Sequence, residues 1–512
     1  MKVVIVGGGT SGWMTATYLR AAFSDRLDIT LVESEKVTPV GVGEATFSEF
    51  RHFFGYLGIP EHEWMPSCEA TYKLGVRFEN WRQPEHYFYH PFEPLGLVRG
   101  FTLADWWLHL GGERFDHDCF VVAAMCDAKR APRHLDGTLF ESDLDIAHRL
   151  HHSTLSDPST QFTYAYHFDA TLLAGYLAQR GRDQGIQHIR DSVEDVGLDE
   201  RGWIQHVVTA KHGELDGDLF IDCTGFRGLL MSKALDEPFV SFQEFLPNDR
   251  AVALRVPADP GSDDIRPCTT ATAMDAGWIW TIPLYTRIGT GYVYASDYCS
   301  PDEAEQTLRD RVGAAAEDLE ANHIQMRVGR SERSWVNNCV AIGLSSAFVE
   351  PLESTGIFFI QYAVDQLVRH FPADDWDPAL QASFNRRVSR CVDGVREFLS
   401  LHYRAAGRSD TPYWKDAHER PLPDGLAERI EEWRNRIPEQ DTIYPHYHGF
   451  EPYSYICMLM GLGGLPLKAR PALAMLDEGL ARQEFQRIRE LADGVISTLP
   501  GHYEYLTHVR NE

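Results

Sequence analysis

No two of the nine cysteines stand at CxxC spacing, so the sequence offers neither a zinc knuckle nor a redox pair. The thiols read as reduced and structural, and no metal site is expected. No apolar run approaches the roughly 18 residues that a membrane span needs. Lys2 leads straight into the strand-like run Val3 to Val6, which breaks into glycines where a signal peptide would continue apolar. A cytoplasmic protein without a membrane partner is expected. Basic residues are scarce: 48 Lys plus Arg stand against 75 Asp plus Glu, a formal net charge of −27. That balance excludes nucleic acid as the expected partner, because phosphate backbones are bound through basic footprints. Internal repeats and low-complexity tracts are absent, and polar stretches such as Ala258–Asp264 read as surface loops.

What is present suits a globular enzyme. Over 512 residues, 44% hydrophobic and 12% aromatic side chains can fill two or three packed regions. The start is legible residue by residue: an apolar strand over Lys2–Val6, a glycine turn over Gly7–Gly12, a helix over Ser11–Phe23 and a strand over Asp28–Glu33. This is a βαβ unit. Apolar strands recur at Asp218–Asp222 and Asn338–Gly343, each followed by a Gly- or Ser-containing turn, which predicts one sheet assembled from distant segments. The aromatic-rich stretch from about 47 to 160, with Trp64, Trp81, Trp106 and Trp107, reads as an elaboration around a ligand site. Beyond Ile357, apolar residues at Ile357, Ile360, Val364, Leu367, Val368 and Phe371 keep helical spacing, and Asp393–Leu401 and Leu426–Ile437 continue it.

Gly7, Gly9 and Gly12 form GxGxxG between strand and helix, and Glu33 follows where a ribose-binding acid belongs. Gly7 permits the tight turn, Gly9 lets backbone approach a pyrophosphate, Gly12 allows close packing, and helix-terminal amides face the anion. A dinucleotide is implied. No second GxGxxG exists for a nicotinamide cofactor, since Gly461-Leu462-Gly463-Gly464 lacks the spacing.

GDLFIDCTGFRG, from Gly217 to Gly228, resembles the second strand–turn element of flavin monooxygenases, which favours FAD over NAD. Gly277-Trp278-Ile279-Trp280-Thr281-Ile282-Pro283 carries WxWxIP, and with the GxGxxG start it resembles the signature pair of flavin-dependent halogenases. The resemblance runs on through GVGEATF, YKLGVRFENW, FYHPFE, FVEPLESTGIFF and YPHYHGFEPYSY. The chain resembles the tryptophan halogenases acting at C5 or C6 of indole, and segments such as ATYKLGVRF and RFDHDCFV look closer to the C6 group. Standing alone, Trp278 and Trp280 would be core aromatics sharing a strand face.

The resemblance implies an α/β, FAD-binding, GR2-type flavin-monooxygenase-like fold. An FAD module would span 1–360, with substrate-site insertions around 47–160, and a mainly helical region, 361–512, would close the tryptophan site. In that family reduced FAD, supplied in trans by a separate NAD(P)H-dependent flavin reductase, reacts with O2 to a hydroperoxide. Chloride or bromide attacks it, and hypohalous acid passes through a tunnel to L-tryptophan. Trp278 and Trp280 would wall flavin from substrate. Lys73 carries over as the catalytic lysine, able as ammonium to polarise hypochlorous acid or as amine to form a chloramine. Glu353 carries over as the carboxylate that accepts the ring proton; without the family, it would read as a helix-capping acid.

Thr355 and Gly356 match the family's chloride amides. The flavin positions are Gly7, Gly8, Gly9, Thr10, Ser11, Gly12, Glu33, Ser34, Val40, Glu44, Ala45, Leu344 and Ile357. Gly343-Leu344-Ser345-Ser346 departs from the Gly-Asp pair common in flavin monooxygenases, which suits a flavin that exchanges. His90 and Phe92 are expected against the indole, with Tyr447, Glu451 and Tyr455 toward the amino-acid end. A homodimer is compatible with the sequence. Two other readings stay open: an aromatic hydroxylase of the same fold, and a flavoprotein-like binding module without chemistry.

Overall fold

The computed structural model describes residues 1–35, 44–140, 163–258, 265–373 and 376–511. Val40 and most of the Ala258–Asp264 loop lie outside the described residues. Lys2–Val6 is buried from Val3 onward, and its both-faces-apolar sequence places it inside a sheet. It pairs in parallel with Asp28–Glu33 on one side and Leu219–Asp222 on the other. Gln187–Arg190 and Cys339–Ala341 extend the sheet in parallel, and Trp335–Val336 closes it antiparallel, giving six strands drawn from four distant parts of the chain. The helix Thr10–Phe23 covers one face, against the helices Ala170–Asp183 and Gly356–Arg369.

A second sheet has seven strands, in the order Asn322–Gln325, Arg250–Pro257, Arg287–Tyr294, Gly277–Pro283, Thr269–Met274, Gly75–Glu79, Tyr87–Pro91. Its pairs are antiparallel except Thr269–Met274 with Gly75–Glu79. The 47–160 region is therefore more than an elaboration, because Gly75–Glu79 and Tyr87–Pro91 complete this sheet. A small sheet of Glu44–Ala45, Ala165–Phe168 and Thr71–Lys73 lies beside it.

The C-terminal third is helical. Pro378–Ala405 is a 28-residue helix, started by Asp377, whose side chain accepts from the Ala379 amide, and by Pro378 in its first turn. Pro412–Glu419, Leu426–Trp433, Pro452–Leu462, Gly479–Thr498 and His502–Asn511 follow. Arg434 caps Leu426–Trp433, which ends four residues before the expected end at Ile437. Gly356–Arg369 runs across position 360. All nine cysteines are free, and among the described residues no helix is long and apolar enough to cross a membrane.

Candidate active site

A cavity of about 1120 Å³ runs along the ends of the parallel strands. Gly7, Gly8, Gly9, Thr10, Ser11, Glu33, Ser34, Glu44, Ala45, Leu344 and Ile357 all line it. The three motif glycines differ in their reasons. Gly7 has φ +116°, and a Cβ there would sit 2.2 Å from the Cys223 carbonyl oxygen. A Cβ on Gly12 would meet the Gly7 oxygen at 1.9 Å, so Gly12 serves packing and does not line the cavity. At Gly9 nothing lies within 4 Å of a Cβ, which leaves open space over the backbone where a diphosphate would rest. The helix that Gly9 opens has no side-chain cap, so its first amides remain available to an anion. These residues fit an extended dinucleotide.

Sequence reasoning missed the far end of this cavity, which is formed by Ala174, Arg182, His188, Arg190 and Ser192. His188 Nε2 stands 2.8 Å from Glu33 Oε2 across neighbouring strands. Pairing of Gln187–Arg190 with Asp28–Glu33 leaves no local signal, so only topology reveals it.

At the other end the cavity reaches Trp280, Pro351, Ser354 and Gly356. Trp278 and Trp280 share a strand face, with ring centroids 6.4 Å apart and planes at 61°. Their indole nitrogens have different fates. Trp278 donates to Glu350 Oε2 at 2.9 Å and is not among the residues lining the cavity, whereas the buried Nε1 of Trp280 has no partner among the described residues.

Lys73 is fully buried and is not among the cavity's lining residues. Its Nζ donates to the Thr46 carbonyl and to Ser354 Oγ, both at 2.9 Å, and lies 5.2 Å from the Phe92 ring centre. Burial holds the ammonium down to about 7, against the nearby Glu353 charge that favours it. Its strand is fixed from behind: Thr71 Oγ1 donates 2.7 Å to the Pro283 carbonyl at the end of the WxWxIP strand.

Glu353 ends the turn Pro351–Glu353, after which Ser354 takes the left-handed conformation at φ 62° and the helix Gly356–Arg369 begins. That helix has no acid in its first turn and no side-chain cap, so Glu353 does not cap it. Its carboxylate turns toward two imidazoles instead. His90 Nδ1 lies 3.1 Å from both oxygens, and His402 Nε2 lies 2.8 Å from Oε1. Burial alone would push the carboxyl up, but these rings override it and hold it at about 2. His402 was not legible in the sequence. Its Nδ1 stands 2.8 Å from the Phe398 carbonyl and must carry hydrogen, so a proton also lies between Nε2 and Glu353.

The aromatic residues gather around these groups. Phe92 faces Phe47 at 6.0 Å, and His90 lies 6.4 Å from Phe450 and 6.0 Å from Tyr453, another residue the sequence reading left out. The His90 Nε2 atom is buried without a partner among the described residues. The Tyr447 ring lies tilted at 37° to that of Tyr362 with centroids 5.5 Å apart, and Glu451, partly exposed, precedes the helix Pro452–Leu462 with its acidity weakened by burial. Tyr455 is fully buried and spends its hydroxyl on His448 Nε2 at 2.7 Å, so it offers a ring face rather than a donor. Thr355 Oγ1 is buried without a partner among the described residues, and Gly356 borders the cavity.

A cavity that fits a dinucleotide thus ends at Trp280, which packs on Trp278, with a buried lysine and a histidine-held carboxylate beside it. The tryptophan halogenase family model matches residues 2–478. The 7-chloro-L-tryptophan 6-halogenase KtzR of Kutzneria is 60% identical, covering 99% of both chains. The tryptophan 6-halogenase SttH of Streptomyces toxytricini is 59% identical over 98% of this chain and 97% of its own. The crystal structure of SttH matches with a TM-score of 0.96 at 58% identity, covering 99% of each chain. On this evidence the chain belongs to the flavin-dependent tryptophan halogenase family.

Proposed function

We infer that this enzyme chlorinates or brominates L-tryptophan at C6 of the indole, using reduced FAD supplied by a separate reductase. The observation that carries the reading is a buried Lys73 bonded to Ser354, the residue next to a Glu353 held by His90 and His402, both outside the lining of a cavity that fits a dinucleotide. The choice of C6 rests on the two relatives, whose names give 6-halogenation of tryptophan and of 7-chloro-L-tryptophan. Bound in reduced form, the flavin would supply, with O2, the two-electron oxidation that converts halide to hypohalous acid. Gly7 to Ser11, Glu33, Ser34, Glu44, Ala45, Leu344 and Ile357 would hold it, and the amides of Thr355 and Gly356 would hold the halide.

The chain's own part is delivery and proton management. Thr46 and Ser354 occupy two Lys73 protons, so an ammonium keeps one donor with which to polarise hypohalous acid toward the ring. His90 and Phe92 hold the indole face, with Tyr447 and Glu451 toward the substrate ammonium. Glu353 stabilises the cationic ring and takes its C6 proton. A carboxylate near 2 is a weak base, yet the ring cation formed by halogen addition is a far stronger acid, so transfer runs downhill.

NADPH with this chain alone is expected to give no turnover, because no second nucleotide motif exists. Adding a flavin reductase, FAD, chloride and L-tryptophan should yield 6-chlorotryptophan, identified by NMR. Product carrying oxygen without halogen would instead favour the hydroxylase reading, and turnover from NADPH without reductase would defeat the two-component one.

Lys73 also sets an expected pH dependence. Its acidity near 7 means that the ammonium dominates below that pH and the amine above it. Single-turnover halogen transfer should therefore fall as pH rises through about 7. A rise over the same interval would assign the reaction to the amine, through a chloramine.

A further inference from the structure

Glu350 opens the turn that carries Glu353 and is fully buried. Three donors converge on its Oε2: Asn248 Nδ2 and the Tyr403 hydroxyl, each at 2.6 Å, and Trp278 Nε1 at 2.9 Å. The protons around it can be assigned one by one. Asn248 Oδ1 takes the Tyr413 hydroxyl proton at 3.0 Å, and the second Nδ2 proton reaches the Tyr403 oxygen at 2.8 Å. Tyr403 therefore sends its own proton to Glu350, and Trp278 can only donate. All three protons that reach the carboxylate end on Oε2, while Oε1 has no partner among the described residues. Burial pushes this carboxyl up, and a dry acid of this kind is poor evidence of a stability role, because apolar groups of the same shape often serve folding as well.

The donors come from the elements that bear the reaction. Trp278 packs on Trp280, which lines the cavity, and Tyr403 directly follows His402, which holds Glu353. Adjacent residues of one helix thus grip both carboxylates of one turn. We propose that Glu350 is a positioning residue for halogen transfer: it ties the Trp278 side of the wall to the Glu353 turn, so that hypohalous acid reaches tryptophan instead of escaping. It acts through Trp278 and the turn and touches neither flavin nor substrate. The inference rests on the tryptophan halogenase reading above.

The test compares wild type with Glu350→Leu, Glu350→Gln and Tyr403→Phe, all run with reductase, FAD, chloride and L-tryptophan. Chlorotryptophan and hypochlorous acid, trapped by a β-diketone, are counted per flavin oxidised. Leu should lower the fraction ending in chlorotryptophan by about tenfold and raise trapped acid, with KM for tryptophan within about threefold of wild type. Gln keeps the accepting oxygen and puts its amide where Oε1 had no partner, so it should restore coupling. Tyr403→Phe removes one donor, keeps the ring, and should fall between them; it carries the test if the Leu variant does not fold. In the protein without flavin, the indole N–H resonance of Trp278, identified by its loss in Trp278→Phe, should shift in Glu350→Leu. Unchanged coupling in both Leu and Phe variants, or an unmoved resonance, would overturn the proposal while the function stands. Absence of chlorotryptophan from wild type would overturn the functional reading and this inference with it.

Discussion

Replacing Lys73 by alanine or methionine is expected to lower tryptophan chlorination by at least about 10³-fold, a loss of roughly 4 kcal/mol in transition-state stabilisation. FAD affinity should hardly change. The separation follows from geometry: Lys73 is fully buried outside the lining of the cavity proposed for the flavin, and its Nζ is aligned by the Thr46 carbonyl and Ser354 Oγ. Methionine keeps most of the side-chain volume and removes only the polar head. Its main structural cost is the Thr46 carbonyl left without the lysine, about 1 to 3 kcal/mol for an unsatisfied buried acceptor. Flavin titration, a melting curve and product analysis on the same sample separate the effects. Chlorination near the wild-type rate in Lys73→Met would remove Lys73 from halogen transfer.

The sequence exposed what is local. Five strand residues, three glycines at fixed offsets and an acid at the end of the next strand all belong to one βαβ unit, so the glycine turn could be read without tertiary information. The seven-stranded sheet could not. Gly75–Glu79 pairs in parallel with Thr269–Met274, and a partner so distant leaves no trace in the alternation of either strand. The same holds for the site. Lys73 and Glu353 were reached through resemblance, since a lone lysine or a glutamate before a helix carries little meaning by itself. His402 lies on a long helix among Leu399, Leu401 and Tyr403, where a histidine reads as one more buried residue. Only its contact with Glu353 gives it a role. Glu350 was passed over for a similar reason, because nothing in EPLEST distinguishes the acid that faces His90 from the acid that faces Trp278.

Glu353→Gln is expected to reduce the chlorination rate by about 10²- to 10³-fold, within the range of a lost general base, while tryptophan affinity stays within about twofold. The structure makes this substitution unusually gentle on the fold. His402 Nδ1 is committed to the Phe398 carbonyl, so in its neutral form Nε2 is an acceptor, and a glutamine amide can donate to it at the 2.8 Å spacing that the carboxylate now occupies. The remaining glutamine oxygen can accept from His90 Nδ1, which now lies 3.1 Å from both carboxylate oxygens. The proton that lies between Glu353 and His402 is given up together with the carboxylate charge, so the net charge of the pair is unchanged and no ion is left unpaired in the core. What disappears is the negative oxygen that, on the proposed mechanism, would stabilise the cationic ring and accept its proton, an interaction made chiefly in the transition state. Calorimetry with tryptophan and single-turnover chlorination on the same variant measure the two quantities. Near-normal chemistry with a lowered melting temperature would return Glu353 to a purely structural part.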